Sequence, residues 1–155
     1  MTEGNDAPNL ELHDILKRLD GAKDTLVESL ESMDDAPFDV PNDEGESIKT
    51  ALERTVDDVN FYYGRLAAKA LNLPQPPCLG RSTFGSLREG VMALQVAHRR
   101  FSNLLHDLEP GDLEKVGAEQ ELGSYTLRQI LELAGAQYKM RAQQVQRLAS
   151  HARAG

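Results

Sequence analysis

Apolar residues recur at three- and four-residue steps in four stretches of the chain, the spacing that places side chains on one face of a helix. The most regular stretch runs from Thr126 to His151. At about 1.5 Å per residue it predicts a helix roughly 40 Å long. Thr126 and Gln129 match a capping box, in which two side chains satisfy amides at the helix start. The apolar positions of this helix are Leu127, Ile130, Leu131, Ala134, Tyr138, Val145 and Leu148.

Two helices are predicted in the first half of the chain. We expect residues 1–8 to be a flexible N-terminus and the first helix to run from about Asn9 to Met33, with Gly21 as a mild interruption. The loop of residues 34–43 contains two prolines, and its Phe38 and Val40 are expected to fold back onto the core. The second helix is predicted to begin near residues 43–46, which match a capping box, and to run to about Leu73. Its stripe comprises Ile48, Leu52, Val56, Val59, Tyr63, Leu66, Ala70 and Leu73.

A third helix follows the proline-rich residues 74–80, which no helix can cross. It is predicted to start at Ser82 or Thr83, or alternatively at Ser86 with Glu89 as the partner in a capping box. Its apolar stripe ends near Leu108, before the break at residues 109–111. The connection of residues 111–125 is expected to cover one end of the helices with three apolar side chains, namely Leu113, Val116 and Leu122.

These four stretches predict the fold class. The chain shows neither β-type alternation nor an internal repeat, so we expect an all-α protein. Four amphipathic helices of about 25 to 30 residues are typical of a four-helix bundle. The bundle is predicted to be of the up-down type with one or more long connections, and to form a single domain over residues 9–153.

The net charge of −8 is unevenly distributed. Residues 1–60 carry 17 acids and 5 bases, whereas residues 127–155 carry 1 acid and 5 bases. An acidic total disfavours nucleic-acid binding, which needs a basic face. The basic residues of the last helix are expected to neutralise the acidic first helices, with a local basic patch as the alternative.

Other features of the sequence indicate where the protein works. Cys78 is the only cysteine, so no internal disulfide is expected, and its neighbours include no base that would activate a thiolate. No apolar run of 18 residues predicts a membrane span, and the acidic start differs from a signal peptide. We therefore expect a cytoplasmic protein.

Candidate chemistry is sparse among the four histidines. His98 lies within an apolar stripe and is predicted to face inward, more often the position of a hydrogen-bonded core residue than of a ligand. No two histidines stand three or four residues apart, so no helical metal-ligand pair is present. The carboxylate pair Asp57 and Asp58 is interpreted as a surface feature. No catalytic residue and no cofactor are predicted from these patterns.

Polar residues border the apolar stripes of two helices. Gln137, Arg141 and Gln144 form a row on one face of the last helix, and Arg54 borders the stripe of the second helix. One interpretation is a solvent-facing surface. The other is a pocket edge, where Arg and Gln side chains could hold an anion or an amide.

The order of these features resembles the DinB/YfiT-like family, four-helix bundles often described as metal-dependent enzymes, some of them thiol-dependent transferases. The resemblance covers roughly residues 9–150. It rests on short motifs of the second and last helices: Ser47-Ile48, Leu52, Phe61-Tyr62-Tyr63, Arg65-Leu66, Thr126-Leu127-Arg128, Ile130-Leu131 and Gln144-Val145.

The resemblance also locates a departure from the family. It implies a metal bound by one histidine on the second helix and two on the last helix, four residues apart. The corresponding positions here are Arg54, Gln137 and Arg141, with the register on the second helix uncertain by one turn. Two cations and an amide cannot replace three imidazoles around Zn²⁺ or Ni²⁺. We therefore expect the family's fold without its metal site.

Three functions remain open. The first is a non-catalytic DinB-like protein that keeps the former metal cleft as a small-molecule or anion pocket around Arg54, Gln137 and Arg141. The second is an interaction or structural protein that dimerises through helix faces without a ligand; a homodimer is expected because the resembled family is often dimeric. The third is a metal-free transferase- or hydrolase-type enzyme using His98 with a tyrosine and an arginine.

Overall fold

The computed structural model describes residues 3–33, 36–75, 81–119 and 122–154, and these are mostly helical. Because residues 48–70 are helical without a break, the described chain contains four long helical stretches and a small antiparallel sheet. The prediction of a helical protein is confirmed for most of the chain, but it missed the sheet. The elements are α1 (Glu3–Glu31), α2 (Ile48–Asp58), the π-helical segment (Val59–Tyr63), α3 (Gly64–Ala70), α4 (Leu87–Leu104), a 3-10 turn (Pro110–Glu114), β1 (Val116–Glu119), β2 (Gly123–Thr126) and α5 (Leu127–Ala154).

The core lies between the apolar faces of these helices, with α1 packed along α5. All seven apolar positions predicted for the last helix are buried. The continuous helix α1 also confirms that Gly21 does not break it. Within the described part of the chain, no helix is sufficiently long and apolar to span a bilayer.

Two predicted helix starts are confirmed by their capping hydrogen bonds. The Thr126 hydroxyl accepts from the Gln129 amide at 3.1 Å, and the Gln129 side chain accepts from the Thr126 amide at 2.9 Å. Helix α4 begins after Ser86, whose hydroxyl accepts from the Glu89 amide at 3.1 Å. The alternative start at Ser86 is therefore confirmed, and the start first predicted at Ser82 or Thr83 is wrong.

The predicted start of the second helix at residues 43–46 is also wrong. The capping box is formed one turn later, by Ser47 and Thr50. The Asn42 side chain explains the shift, because it accepts from the amides of Glu44 and Glu46 at 2.9 and 3.0 Å. These bonds fold residues 42–46 into a turn, which Gly45 completes with φ of +80°.

The π-helical segment lets one long helix keep the same face buried. Buried residues follow at steps of four from Ala51 to Ala67. In an uninterrupted α-helix, four such steps drift by roughly 160° around the axis, and the wider π turn takes up part of that drift. The helix then ends at Ala70, where Asn72 has φ of +55° and the Leu73 amide donates to the Ala68 carbonyl. This Schellman motif stops the helix before the prolines.

The ends and connections of the helices differ from the prediction in detail. Helix α1 begins at Glu3, inside the segment of residues 1–8 that was predicted to be flexible. Phe38 packs against the core as expected, whereas Val40 is exposed. The predictions for Cys78 and its proline-rich neighbours, residues 76–80, lie outside the described residues.

The connection before α5 folds into a β-hairpin, which was not predicted. Strands β1 and β2 pair antiparallel, with Gly117 opposite Tyr125. Leu113 and Leu122 pack against the core as expected, but Val116 is exposed. Each strand has only four residues, too few for β-type alternation to stand out. The hairpin lies against α3, to which Glu119 is tied by Arg65 at 2.6 Å.

Candidate functional site

The polar row of α5 faces the second helical stretch, and the two together form a hydrogen-bonded cluster. Gln137 Nε2 donates to Asp58 Oδ2 at 2.5 Å, and Arg141 Nη2 lies 3.9 Å from the same oxygen. Arg141 Nη1 donates to Gln144 Oε1 at 2.7 Å, and Gln144 Nε2 donates to Glu46 Oε2 at 2.7 Å. We call Arg54, Glu46, Asp58, Gln137, Arg141 and Gln144 the cleft network.

Arg54 lies at the outer end of the cleft network. Its side chain is exposed, and its Nη1 lies 3.4 Å from Glu46 Oε1. The residue of α2 that contacts Gln137 and Arg141 is instead Asp58, one helical turn further along. The structure therefore brings Gln137 and Arg141 together as expected, while the position facing them from the second helix differs from the predicted Arg54 by one turn.

Arg141 is the unusual member of the cleft network. It is 7 % exposed, and among the described residues its Nε has no hydrogen-bond partner. Burial lowers the pKa of this guanidinium and Arg54 lowers it further, while the carboxylates of Asp58 and Glu46 act in the opposite direction. The lowered pKa means that burial destabilises the charged guanidinium by more than the neighbouring carboxylates stabilise it. The site thus contains a buried cation with an unused N–H donor.

Tyr63 of the π-helical segment borders the same region. Burial and the carboxylate of Asp58 raise the pKa of this phenol to about 12. Tyr63 therefore keeps its proton at neutral pH and can act only as a neutral hydrogen-bonding group.

A cavity of about 450 Å³ opens beside the cleft network. It lies between the turn of residues 42–46 and α5, and its walls include Glu46, Gln144, Arg147 and His151. Gln144 is the link between the two features, because it lines the cavity and also accepts the hydrogen bond from Arg141. A small molecule in this cavity would be separated from the buried guanidinium by one side chain.

The cleft residues do not suit the metal that the family resemblance implies. Asp58 offers one carboxylate and Gln137 one amide oxygen, but Arg141 brings a positive charge into the same space. Within the described ranges, His, Cys, Asp and Glu side chains form no group of three or more that could hold a metal ion. The donor set at this position therefore does not fit a divalent cation.

His98 of α4 lies away from the cleft network, buried between α1 and α5. Its side chain faces inward, as predicted. Its Nδ1 accepts from the Tyr138 hydroxyl at 2.9 Å, and its Nε2 donates to Asp20 Oδ1 at 2.8 Å. Burial raises the pKa of Tyr138, which keeps the hydroxyl protonated as a donor. Both ring nitrogens are satisfied, and among its described partners there is no arginine. This geometry is that of a hydrogen-bonded core histidine.

Sequence reasoning missed three carboxylates that matter in these clusters. Asp58 was interpreted as a surface residue, Glu46 was expected only at the start of the second helix, and Asp20 was not singled out. Asp58 stands four residues after Arg54 and therefore on nearly the same helix face, which was the available signal. Its neighbour Asp57 is also structural, since it accepts from the Ser82 amide at 3.0 Å and holds the start of the segment leading to α4.

Comparison of the chain with protein-family models, with curated proteins and with solved structures finds no match. The DinB/YfiT-like resemblance therefore rests on the residues of the second and last helices and stays a prediction.

The ionisation of His98 gives a pH-dependent prediction. Burial lowers its pKa below the ordinary value of 6.5, while the hydrogen bond and charge of Asp20 act against that shift. We therefore expect Asp20→Asn to lower the His98 pKa further, measured from the ring proton shifts by NMR. Asp24→Asn is the matched control and should lower it less, because Asp24 acts on His98 only through its charge and is the weakest of the named causes.

The same shift has a consequence for stability. Because the folded protein holds His98 with a lowered pKa, the unfolded chain binds more protons in mild acid. The contribution of His98 to stability is therefore complete above about pH 6.5 and is lost as the pH falls toward the folded pKa. A His98 pKa above the ordinary value, or one that rises in Asp20→Asn, would contradict this account.

Proposed function

We propose that this chain is a non-catalytic, metal-less DinB-like protein. Its four helical stretches would form an up-down bundle, a single domain over residues 9–153. The cleft between α2 and α5 would bind a small molecule that presents an acceptor oxygen, most simply a carboxylate. The observation that carries the proposal is Arg141, a buried guanidinium with an N–H group that has no partner among the described residues.

The energetics of Arg141 support a binding role. Asp58 is 3.9 Å from Arg141 Nη2, too far for a hydrogen bond, so the charge is only partly compensated. A buried polar group without a partner costs about 1–3 kcal/mol. A ligand oxygen that reached the guanidinium would satisfy the free donor and add a charge-assisted hydrogen bond, interactions worth more inside the protein than in water.

Gln144 supplies a route from solvent to Arg141. It is half-buried, and it lies between the guanidinium and the cavity of about 450 Å³. Rotation of this one side chain would open the guanidinium to a molecule held in the cavity. Arg54 lies at the outer end of the network, with a long contact of 3.4 Å to Glu46, and could contact the same ligand.

The charges around the cleft narrow the class of ligand. Glu46 and Asp58 are carboxylates of the same network, so a multiply charged anion would be repelled at short range. A molecule with one carboxylate fits better than inorganic phosphate. The proposal therefore names a small monocarboxylate, with the rest of the molecule in the adjoining cavity.

A non-catalytic role is favoured over the metal-free enzyme because His98 is already engaged. Its two nitrogens contact Tyr138 and Asp20, so a substrate would have to break a buried hydrogen bond to use it. The interaction or structural protein is the second candidate. One observation favours it: Leu133 and Met140 lie seven residues apart on α5 and both are exposed, which suits a homodimer face.

Replacement of Arg141 is expected to increase the stability of the protein while it abolishes ligand binding. We expect Arg141→Met to raise the free energy of unfolding by about 1 kcal/mol, because it removes a poorly compensated buried charge. The Asp58 carboxylate remains hydrogen-bonded in this variant, because Gln137 still donates to it. Arg54→Met is the matched control on the exposed end of the network and should change stability by less than about 0.5 kcal/mol. Urea denaturation measures both.

Ligand binding to the wild type and to these variants is measured from the shift of the melting temperature. We expect acetate, propionate or butyrate to raise it for the wild type, to raise it less for Arg54→Met, and to leave it unchanged for Arg141→Met. Phosphate should act more weakly than the monocarboxylates. If no anion or thiol tested raises the melting temperature of the wild type, the pocket proposal fails and the interaction protein becomes the better account. Size-exclusion chromatography with light scattering would then test the homodimer directly.

A further inference from the structure

A second concave surface lies away from the cleft network, between α4 and the π-helical segment. This groove encloses about 370 Å³, within the range of small-molecule sites. None of its lining residues belongs to the cleft network. One wall comes from a π-helical turn, a feature found frequently at functional sites.

The floor and walls of the groove are mostly apolar. Val56 and Ala97 lie buried at its base, and Phe61 is half-buried beside them. On the α4 side Met92 and Val96 are 61 % and 44 % exposed. Two exposed apolar side chains four residues apart, beside an aromatic ring, leave uncovered hydrophobic surface that a ligand could bury.

The charge at the rim is unusual for this protein. The chain as a whole has a net charge of −8, yet the groove is lined by Arg81 and Arg100 and by no acidic residue. Both arginines are exposed, and neither forms an ion pair within the part of the chain that the structure describes. The side chains of Asn60 and Ser82 add hydrogen-bonding groups near them.

From this combination we infer that the groove binds an amphipathic organic anion, a small molecule with an aliphatic or aromatic body and one carboxylate. The body would lie against Phe61, Met92 and Val96, and the carboxylate would be held by Arg81 and Arg100. Arginine suits this role, since its planar fork matches a carboxylate. A ligand with the opposite charge would meet two cations, so the sign of the charge is part of the inference.

Octanoate is the probe for this inference, measured by isothermal titration calorimetry at low ionic strength with Arg141→Met, a variant in which the proposed cleft lacks its guanidinium. We expect saturable binding of one octanoate per chain. Acetate has the same head group without the body, and octylammonium has the same body with a positive charge. Neither should saturate the groove. Equal binding of octylammonium and octanoate would overturn the inference, because it would show unspecific hydrophobic adsorption.

Neighbouring arginines on α4 provide a matched control. Arg99 and Arg100 are both exposed, but only Arg100 lines the groove. We expect Arg100→Gln and Arg81→Gln each to weaken octanoate binding about tenfold through loss of a charge-assisted hydrogen bond, and Arg99→Gln to leave it unchanged. Equal effects of Arg99→Gln and Arg100→Gln would overturn the inference, since only the general charge would then matter.

Two further variants locate the ligand. Ala93→Phe should fill the groove and abolish binding, and an unchanged melting temperature will show that the variant is folded. Octanoate binding that persists in Arg141→Met belongs to this groove and not to the proposed cleft, and its loss in that variant would overturn the inference. If octanoate does not bind and light scattering shows a dimer that Met92→Glu dissociates, a second copy of the chain covers the groove and the inference is wrong.

Discussion

Gly117→Ala is expected to lower the free energy of unfolding by about 3 kcal/mol, the size expected for overpacking against a rigid neighbour. Gly117 is buried in β1, where the hairpin lies directly on α3. A Cβ at this position would overlap the carbonyl oxygen of Leu66 and would approach the Ala70 amide nitrogen to 3.2 Å. Both atoms belong to the helix backbone, so the clash cannot be relieved by rotating a side chain.

The control for this substitution is Gly21→Ala in the middle of α1. A Cβ at Gly21 meets no atom within 4 Å. Alanine should therefore raise the free energy of unfolding by roughly 1 kcal/mol, the difference in helix propensity between the two residues. Urea denaturation of both variants measures the contrast. A Gly117→Ala variant within about 0.5 kcal/mol of the wild type would show that the hairpin does not pack on α3 as described.

The second large effect is expected at Tyr138, whose side chain is almost completely buried. Tyr138→Phe should lower the free energy of unfolding by about 2 kcal/mol, because it leaves the buried His98 Nδ1 without its donor. The ring itself is retained, so packing changes little and the loss reports the hydrogen bond.

Tyr63→Phe is the matched control for this hydrogen bond. Tyr63 is also buried, but its hydroxyl forms no hydrogen bond within the described residues. It should therefore change the free energy of unfolding by less than about 0.5 kcal/mol. Equal effects of Tyr138→Phe and Tyr63→Phe would mean that the hydrogen bond to His98 contributes nothing to stability, and would reopen a catalytic role for that histidine.

The apolar periodicity predicted the helical stretches because burial of one helix face is set by local spacing. The buried stripe of α5 and its Thr126 cap follow from residues within a few positions of one another. The π-helical segment and the hairpin do not. The first depends on keeping one face buried against two neighbouring helices, and the second on how Gly117 fits α3, so both depend on contacts between distant parts of the chain.

The candidate site was predicted in part for the same reason. Gln137 and Arg141 share a face of one helix, so their proximity follows from helical geometry. Which residue of α2 faces them depends on how far the two helices are offset, and Arg54 and Asp58 differ by one turn. The unpartnered Nε of Arg141 could not be foreseen either, since it results from the distances to Asp58 and Gln144.

The central claim is that the guanidinium of Arg141 binds a ligand carboxylate. The most direct measurement follows the ¹H–¹⁵N resonance of Arg141 Nε by NMR during titration with propionate, with the assignment made from the missing signal in Arg141→Met. We predict a saturable shift of this resonance, with the resonances of the exposed Arg88 and Arg99 side chains as references. An Arg141 Nε resonance that does not move, or that moves no more than those references, would contradict the claim.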